Sequence, residues 1–214
     1  MVAKWRSADA AIELVAGSLT AKLAAAGLSA GLSDFSCDGH SLAERLFAAS
    51  TPGGPLSQAA ESYVRGADHV TTHPATEGFP FRTQLEWTVE PLGQGVLAAV
   101  LTISLQTDLL DTRPELLFET TASGTPSEAA GGGWKIETPE GPTLLLVPHP
   151  TDAPETDRVE GEATLGLRLA SPFLEKGVIR RFRLAAIVLP AGSTDADMAA
   201  AVDSFRSLPL PLTT

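Results

Sequence analysis

Five polar residues stand where chemistry could be done: Arg82, Glu86, His149, Asp152 and Arg180. Arg82 and Glu86 are four residues apart. In an extended chain they share one face, and Trp87 points to the other. A guanidinium and a carboxylate on an open sheet offer planar donors and acceptors for sugar hydroxyls or an anionic group. The same pair is also what a solvated cross-strand contact uses. His149 and Asp152 flank Pro150, just beyond the apolar run Leu144 to Val147. A strand end is a rigid place for a binding residue. It is equally a place for a turn in which Asp152 accepts a backbone amide. Arg180 belongs to the charge cluster Glu175, Lys176, Arg180, Arg181 and Arg183. Alternation sends Arg181 and Arg183 to one face and Arg180 to the other. Arginine on both faces implies either acidic partners, such as Glu86, Glu119 or Glu137, or recognition of a carboxylate or phosphate.

Other chemistries find less support. His69 and His73 have the i, i+4 spacing of a helical zinc pair, but Thr71, Thr72 and Pro74 oppose a helix. On a strand the two lie about 13 Å apart, too far for one metal. Cys37 is the single cysteine and has no metal-ligand pattern around it, so it reads as a small buried hydrophobe. No phosphate loop, dinucleotide fingerprint or nucleophile elbow occurs. No metal and no cofactor are therefore expected.

The elements that must position these residues are mostly strands. Arg82 to Val89 alternates strictly, with Thr83, Leu85, Trp87 and Val89 on one side. Val96 to Thr107 is nearly continuous in apolar character and reads as a central strand. Gly177 to Leu189 is a second long strand. Ile12 to Ala16 and Leu19 to Ala24 form a hairpin around Gly17-Ser18, with the alanine-rich second arm a rival helix. Leu28 to Phe35 follows, then an Asp38-Gly39 turn. Ser41 to Glu44 has capping-box spacing, which predicts a short helix or helical turn through Phe47. Gly66-Ala67-Asp68 joins two further strands. Leu116 to Thr121, Trp134 to Thr138, Thr143 to Val147 and Glu162 to Leu169 complete the set. The stretches 50–58, 123–133 and 151–160 read as loops. Thr194 and Asp197 open a final helix with Met198, Ala201, Val202 and Phe205 on one face, and Pro209 stops it.

About ten strands, short turns and one terminal helix predict an all-β, mainly antiparallel fold, a β-sandwich or supersandwich over one domain, residues 1–214. The composition agrees: 43% hydrophobic and 19% charged residues suit a globular core. A formal net charge of −11 disfavours nucleic acid and anionic lipid as partners. No apolar run is long enough for a membrane helix, and Ser7, Asp9 and Glu13 interrupt any leader. A cytoplasmic location is the expectation.

The opening arrangement resembles the start of galactose mutarotase-like, sugar-binding supersandwich domains. The residues that carry the likeness are Ile12 to Ala25, Gly27-Leu28-Ser29-Ala30-Gly31-Leu32-Ser33 and Cys37-Asp38-Gly39-His40-Ser41-Leu42. The resemblance implies a supersandwich and a carbohydrate connection. It does not extend to the epimerase pattern: the chain has no asparagine, and His73 and His149 are each followed by proline. The expected ligand is a carbohydrate or small anionic molecule. The competing expectation is a structural or interaction module, homo-oligomeric through an open sheet face.

Overall fold

The computed structural model describes residues 3–8, 11–24, 31–93, 95–138, 141–152, 156–159, 164–171 and 173–209. Among these the chain forms seventeen strands and one helix, numbered in chain order. One sheet runs β1 (Lys4–Ala8), β2 (Ala11–Ala16), β3 (Leu19–Ala24), β4 (Leu32–Cys37), β5 (His40–Thr51), β11 (Glu115–Thr121), β16 (Leu165–Ala170) and β15 (Thr156–Val159). The short β6 (Gly54–Pro55) folds back on β5. The second sheet runs β12 (Ser127–Glu128), β13 (Trp134–Glu137), β14 (Thr143–Pro148), β17 (Ile179–Leu189), β10 (Val96–Gln106), β9 (Arg82–Gly93), β8 (Asp68–His73) and β7 (Glu61–Arg65). Each pairing within the sheets is antiparallel. The fold is thus an all-β sandwich with a C-terminal helix, as the alternation predicts. No helix among the described residues is long and apolar enough to cross a membrane.

The main core lies between the sheets. Leu14, Phe35, Phe47 and Phe118 from the first meet Leu85, Trp87, Leu101 and Phe182 from the second. The Phe47 and Trp87 rings stack at 6.3 Å between centroids. One edge of the sandwich is closed by Trp5, whose indole N–H donates to the Ala67 carbonyl at 2.9 Å. The Trp5 ring lies 5.1 Å from that of His69.

A second apolar layer covers part of the outer face of the second sheet. Helix α1 (Asp195–Arg206) buries Met198, Ala201, Val202 and Phe205 against Ala98, Val100, Leu145, Val147, Ala185 and Ile187. Its capping box forms as expected: the Thr194 hydroxyl accepts from the Asp197 amide, and the Asp197 carboxylate accepts from the Thr194 amide at 2.8 Å.

Residues 40–51 correct the sequence reading. They form β5, not a helical turn through Phe47. The apolar pairs Leu42-Ala43 and Leu46-Phe47 mimic helical spacing, but they arise from register breaks. Pairing with β4 shifts between Phe35 and Ser36, and pairing with β11 shifts between Glu119 and Thr121. Such bulges turn consecutive side chains inward. Phe47 sits at φ 48°, and its amide donates to the Thr120 hydroxyl at 3.3 Å. Three further segments differ from their reading as loop. Gly54–Pro55, Ser127–Glu128 and Thr156–Val159 each pair as short strands, and so does Lys4–Ala8, which the sequence reading left unassigned. The alanine-rich arm Leu19–Ala24 is strand as far as it is described, and residues 25–30, with the predicted start of the next strand, lie outside the described residues.

Candidate functional site

Among the described residues helix α1 covers only part of the outer face of the second sheet, and the candidate site lies on the remainder. Three neighbouring strands build it. In the β9–β10 pairing Arg82 stands opposite Gln106, and Gln84 opposite Ser104. In the β10–β17 pairing Gln106 stands opposite Ile179, and Ser104 opposite Arg181. The outward side chains therefore form two rows of three: Arg82, Gln106, Ile179 and Gln84, Ser104, Arg181. With strands ~4.8 Å apart and same-face residues ~7 Å apart, the grid measures roughly 10 by 7 Å. It floors a groove of about 260 Å³. A neighbouring hollow of about 530 Å³ shares Arg82 and Gln106, and is walled by Thr76, Glu77, Pro80, Asp108 and Leu109. The Thr107 hydroxyl, donating to the Pro80 carbonyl at 2.9 Å, ties the two flanking loops together.

The rim beside the grid is mixed, with apolar side chains set among Asp108, Asp111, Glu175 and Lys176. Leu109, Leu110, Phe173, Val178 and Ile179 are all exposed. Their loops run side by side, joined by paired bonds between Thr112 and Leu174 and by the Gly177 amide on the Thr107 carbonyl. A largely polar floor with apolar side chains at its margin suits a ligand that presents hydroxyls together with C–H surface.

The sequence-predicted residues divide between three places. Arg82 lies in the groove, and is exposed. Glu86 shares its face but pairs with Arg65 of β7 at 2.7 Å, not with an arginine of the cluster. Glu137, another suggested partner, pairs with Lys135. Arg180 takes the opposite pleat from Arg181, and its guanidinium carbon stands 5.5 Å from the centre of the Phe182 ring.

His149 and Asp152 sit under the end of α1, away from the grid. The His149 Nδ1 faces the Thr151 hydroxyl at 2.9 Å, Nε2 faces the Arg206 carbonyl at 3.3 Å, and the ring meets Phe205 edge-on. Burial lowers the pKa of His149, and the nearby Arg183 charge lowers it further. Asp152 accepts from the Arg183 amide at 2.9 Å and from the Thr151 hydroxyl at 3.1 Å. The carboxylate is thus used on an amide of β17, 31 residues along the chain, and not on a nearby amide of its own turn. Arg183 donates to the Leu208 carbonyl at 3.3 Å and lies over the Phe205 ring. A cation at a helix C-terminus complements its dipole and its unpaired carbonyls. This cluster fastens the helix to the sheet.

His69 and His73 face the sandwich interior from β8. The His73 Nδ1 meets the Ser57 carbonyl at 2.7 Å, and burial lowers the pKa of both rings, His69 to about 4. Cys37 is buried with its sulfur 3.2 Å from the Ser18 hydroxyl, and burial raises its pKa. Neither groove is lined by histidine or cysteine.

Sequence reasoning did not single out Gln84, Ser104 and Gln106. Their signal lay in parity: Thr102, Ser104 and Gln106 alternate through the distal half of an otherwise apolar central strand.

No family model matches this chain, and no curated protein matches it. Among solved structures the chain is similar to the crystal structure of heparinase III, at 9% sequence identity and a TM-score of 0.38. The match covers 87% of this chain and 30% of that one, so this chain spans less than a third of its neighbour's length.

Proposed function

We infer that the protein binds a small carbohydrate-like ligand carrying an anionic group on the open outer face of the second sheet. The observation that carries this reading is the two-by-three grid, in which Arg82 and Arg181 stand diagonally across Gln84, Ser104 and Gln106. A guanidinium recognises a carboxylate with two parallel N–H donors, and carboxamides pair with vicinal hydroxyls. The grid, roughly 10 by 7 Å, has room for one monosaccharide with its substituents. On this reading Arg82 contacts the ligand, and Glu86, held by Arg65, stands one row beyond Gln84 on the same face. His149 and Asp152 serve by holding the helix that borders it, and Arg180 does not face the ligand. The galactose mutarotase-like resemblance adds a fold-level precedent for sugar binding.

Calorimetric titration with glucuronate, galacturonate and glucose tests the reading. Saturable binding of a uronate, weaker binding of glucose, and at least about a ten-fold loss of uronate affinity in Arg82→Ala are expected. Arg158→Ala, on the exposed edge of the other sheet, should bind as the unaltered protein does. Absence of saturable heat at millimolar uronate, or indifference to Arg82→Ala, sinks the proposal.

A further inference from the structure

The exposed large hydrophobic side chains of the described residues fall into two groups. One lies on the rim beside the groove. The other is Tyr63 and Val64, on β7. This strand ends the second sheet, and all five of its residues are exposed. It carries no proline or lysine and no register break against β8, and its two charges, Glu61 and Arg65, are of opposite sign.

The hairpin dictates which backbone groups face outward. A two-residue turn, Gly66-Ala67, joins Arg65 to its partner Asp68. Such a turn closes on a hydrogen-bonded pair, and bonded pairs then alternate along the ladder. Glu61, Tyr63 and Arg65 thus direct their amides and carbonyls to β8, and Ser62 and Val64 direct theirs to the open edge.

We propose that β7 pairs antiparallel with β7 of a second copy about a twofold axis at Tyr63. In that register Ser62 stands opposite Val64 of the other copy, twice, so four backbone hydrogen bonds form from groups that have no ladder partner among the described residues. Tyr63 meets its own counterpart at a non-bonded position, where side chains come closest. Glu61 falls opposite Arg65 on both sides of the axis, so the charges are complementary. Arg65 already holds Glu86 at 2.7 Å, and its remaining donors bridge that carboxylate to the incoming Glu61. The twofold axis is perpendicular to the sheet, so both polar grids face the same side of one continuous sheet. The exposed edge of β1 offers no such match, because Lys4 and Arg6 would bring cations of two copies together.

Five residues a side make a small interface, so the dimer is concentration-dependent. Sedimentation from about 10 µM to about 1 mM should show the mass rising from one copy toward two. Val64→Pro removes an outward amide that no backbone bond among the described residues uses. It should leave circular dichroism and melting temperature unchanged and abolish the rise. Glu61→Arg, which opposes Arg65 with a like charge, should do the same. A single-copy mass at the highest concentration overturns the proposal, and so does a dimer that persists in both variants. Uronate binding by the monomeric variants separates this interface from the ligand reading.

Discussion

His69 shows at the residue scale how burial sets a property that composition hides. Its ring is fully enclosed and packs on Trp5. Desolvation disfavours the imidazolium and moves the pKa from 6.5 to about 4. Above pH 6.5 the ring is neutral folded or unfolded, and no linkage arises. Below it the unfolded chain takes up the proton first, so stability falls as pH drops until the folded ring also titrates near 4. The slope approaches about 1.4 kcal/mol per pH unit for each such histidine. His73 and His149 are lowered in the same direction. Asp68 and Glu90 are raised by burial and act in the opposite sense, so the histidine share is read from a variant. Urea titrations at pH 7 and pH 5 should show a smaller loss of stability on acidification in His69→Phe than in the unaltered protein. Equal losses would mean the ring is solvated in the folded state.

Helix α1 is the element that divides the outer face of the second sheet into a covered and an open part. Its apolar stripe meets small residues on the sheet, Ala98 and Ala185 among them, which lets the helix sit close. Phe205 is fully buried there, touching both His149 and Arg183. Phe205→Ala should cost about 3–5 kcal/mol, measured by chemical denaturation. The helical pattern was legible in residues 194–209, because capping chemistry and the 3.6-residue period are local. The strand β5 was not, because its two bulges are set by β4 and β11. The sequence period then resembles that of a helix, and local reading has no access to the partner strands.

The whole molecule depends on the two sheets meeting. Trp87 from the second sheet lies against Phe47 from the first, and Trp5 of the first reaches Ala67 and His69 of the second. Neither sheet can keep its inner face dry alone. Tryptophan fluorescence, which reports this contact, and far-ultraviolet circular dichroism, which reports the backbone, should therefore show coincident urea midpoints. A fluorescence transition at clearly lower urea would mean that the sheets separate before they unfold.

Strand identity followed from the chain wherever one face is wet and one dry, as in Arg82–Val89, because alternation is a local property of a pleated backbone. The same alternation put Arg82 and Glu86 on one face and split Arg180 from Arg181. What it could not decide was company. Arg82, Ser104 and Arg181 come together because β9, β10 and β17 are neighbours in one sheet, a pairing set by the packing of the whole sandwich. Glu86 went to Arg65, and Asp152 to the Arg183 amide, for the same reason. Whether a polar face lies open or under a helix depends on where α1 docks, and the docking surface is assembled from β10, β14 and β17, strands distant in sequence.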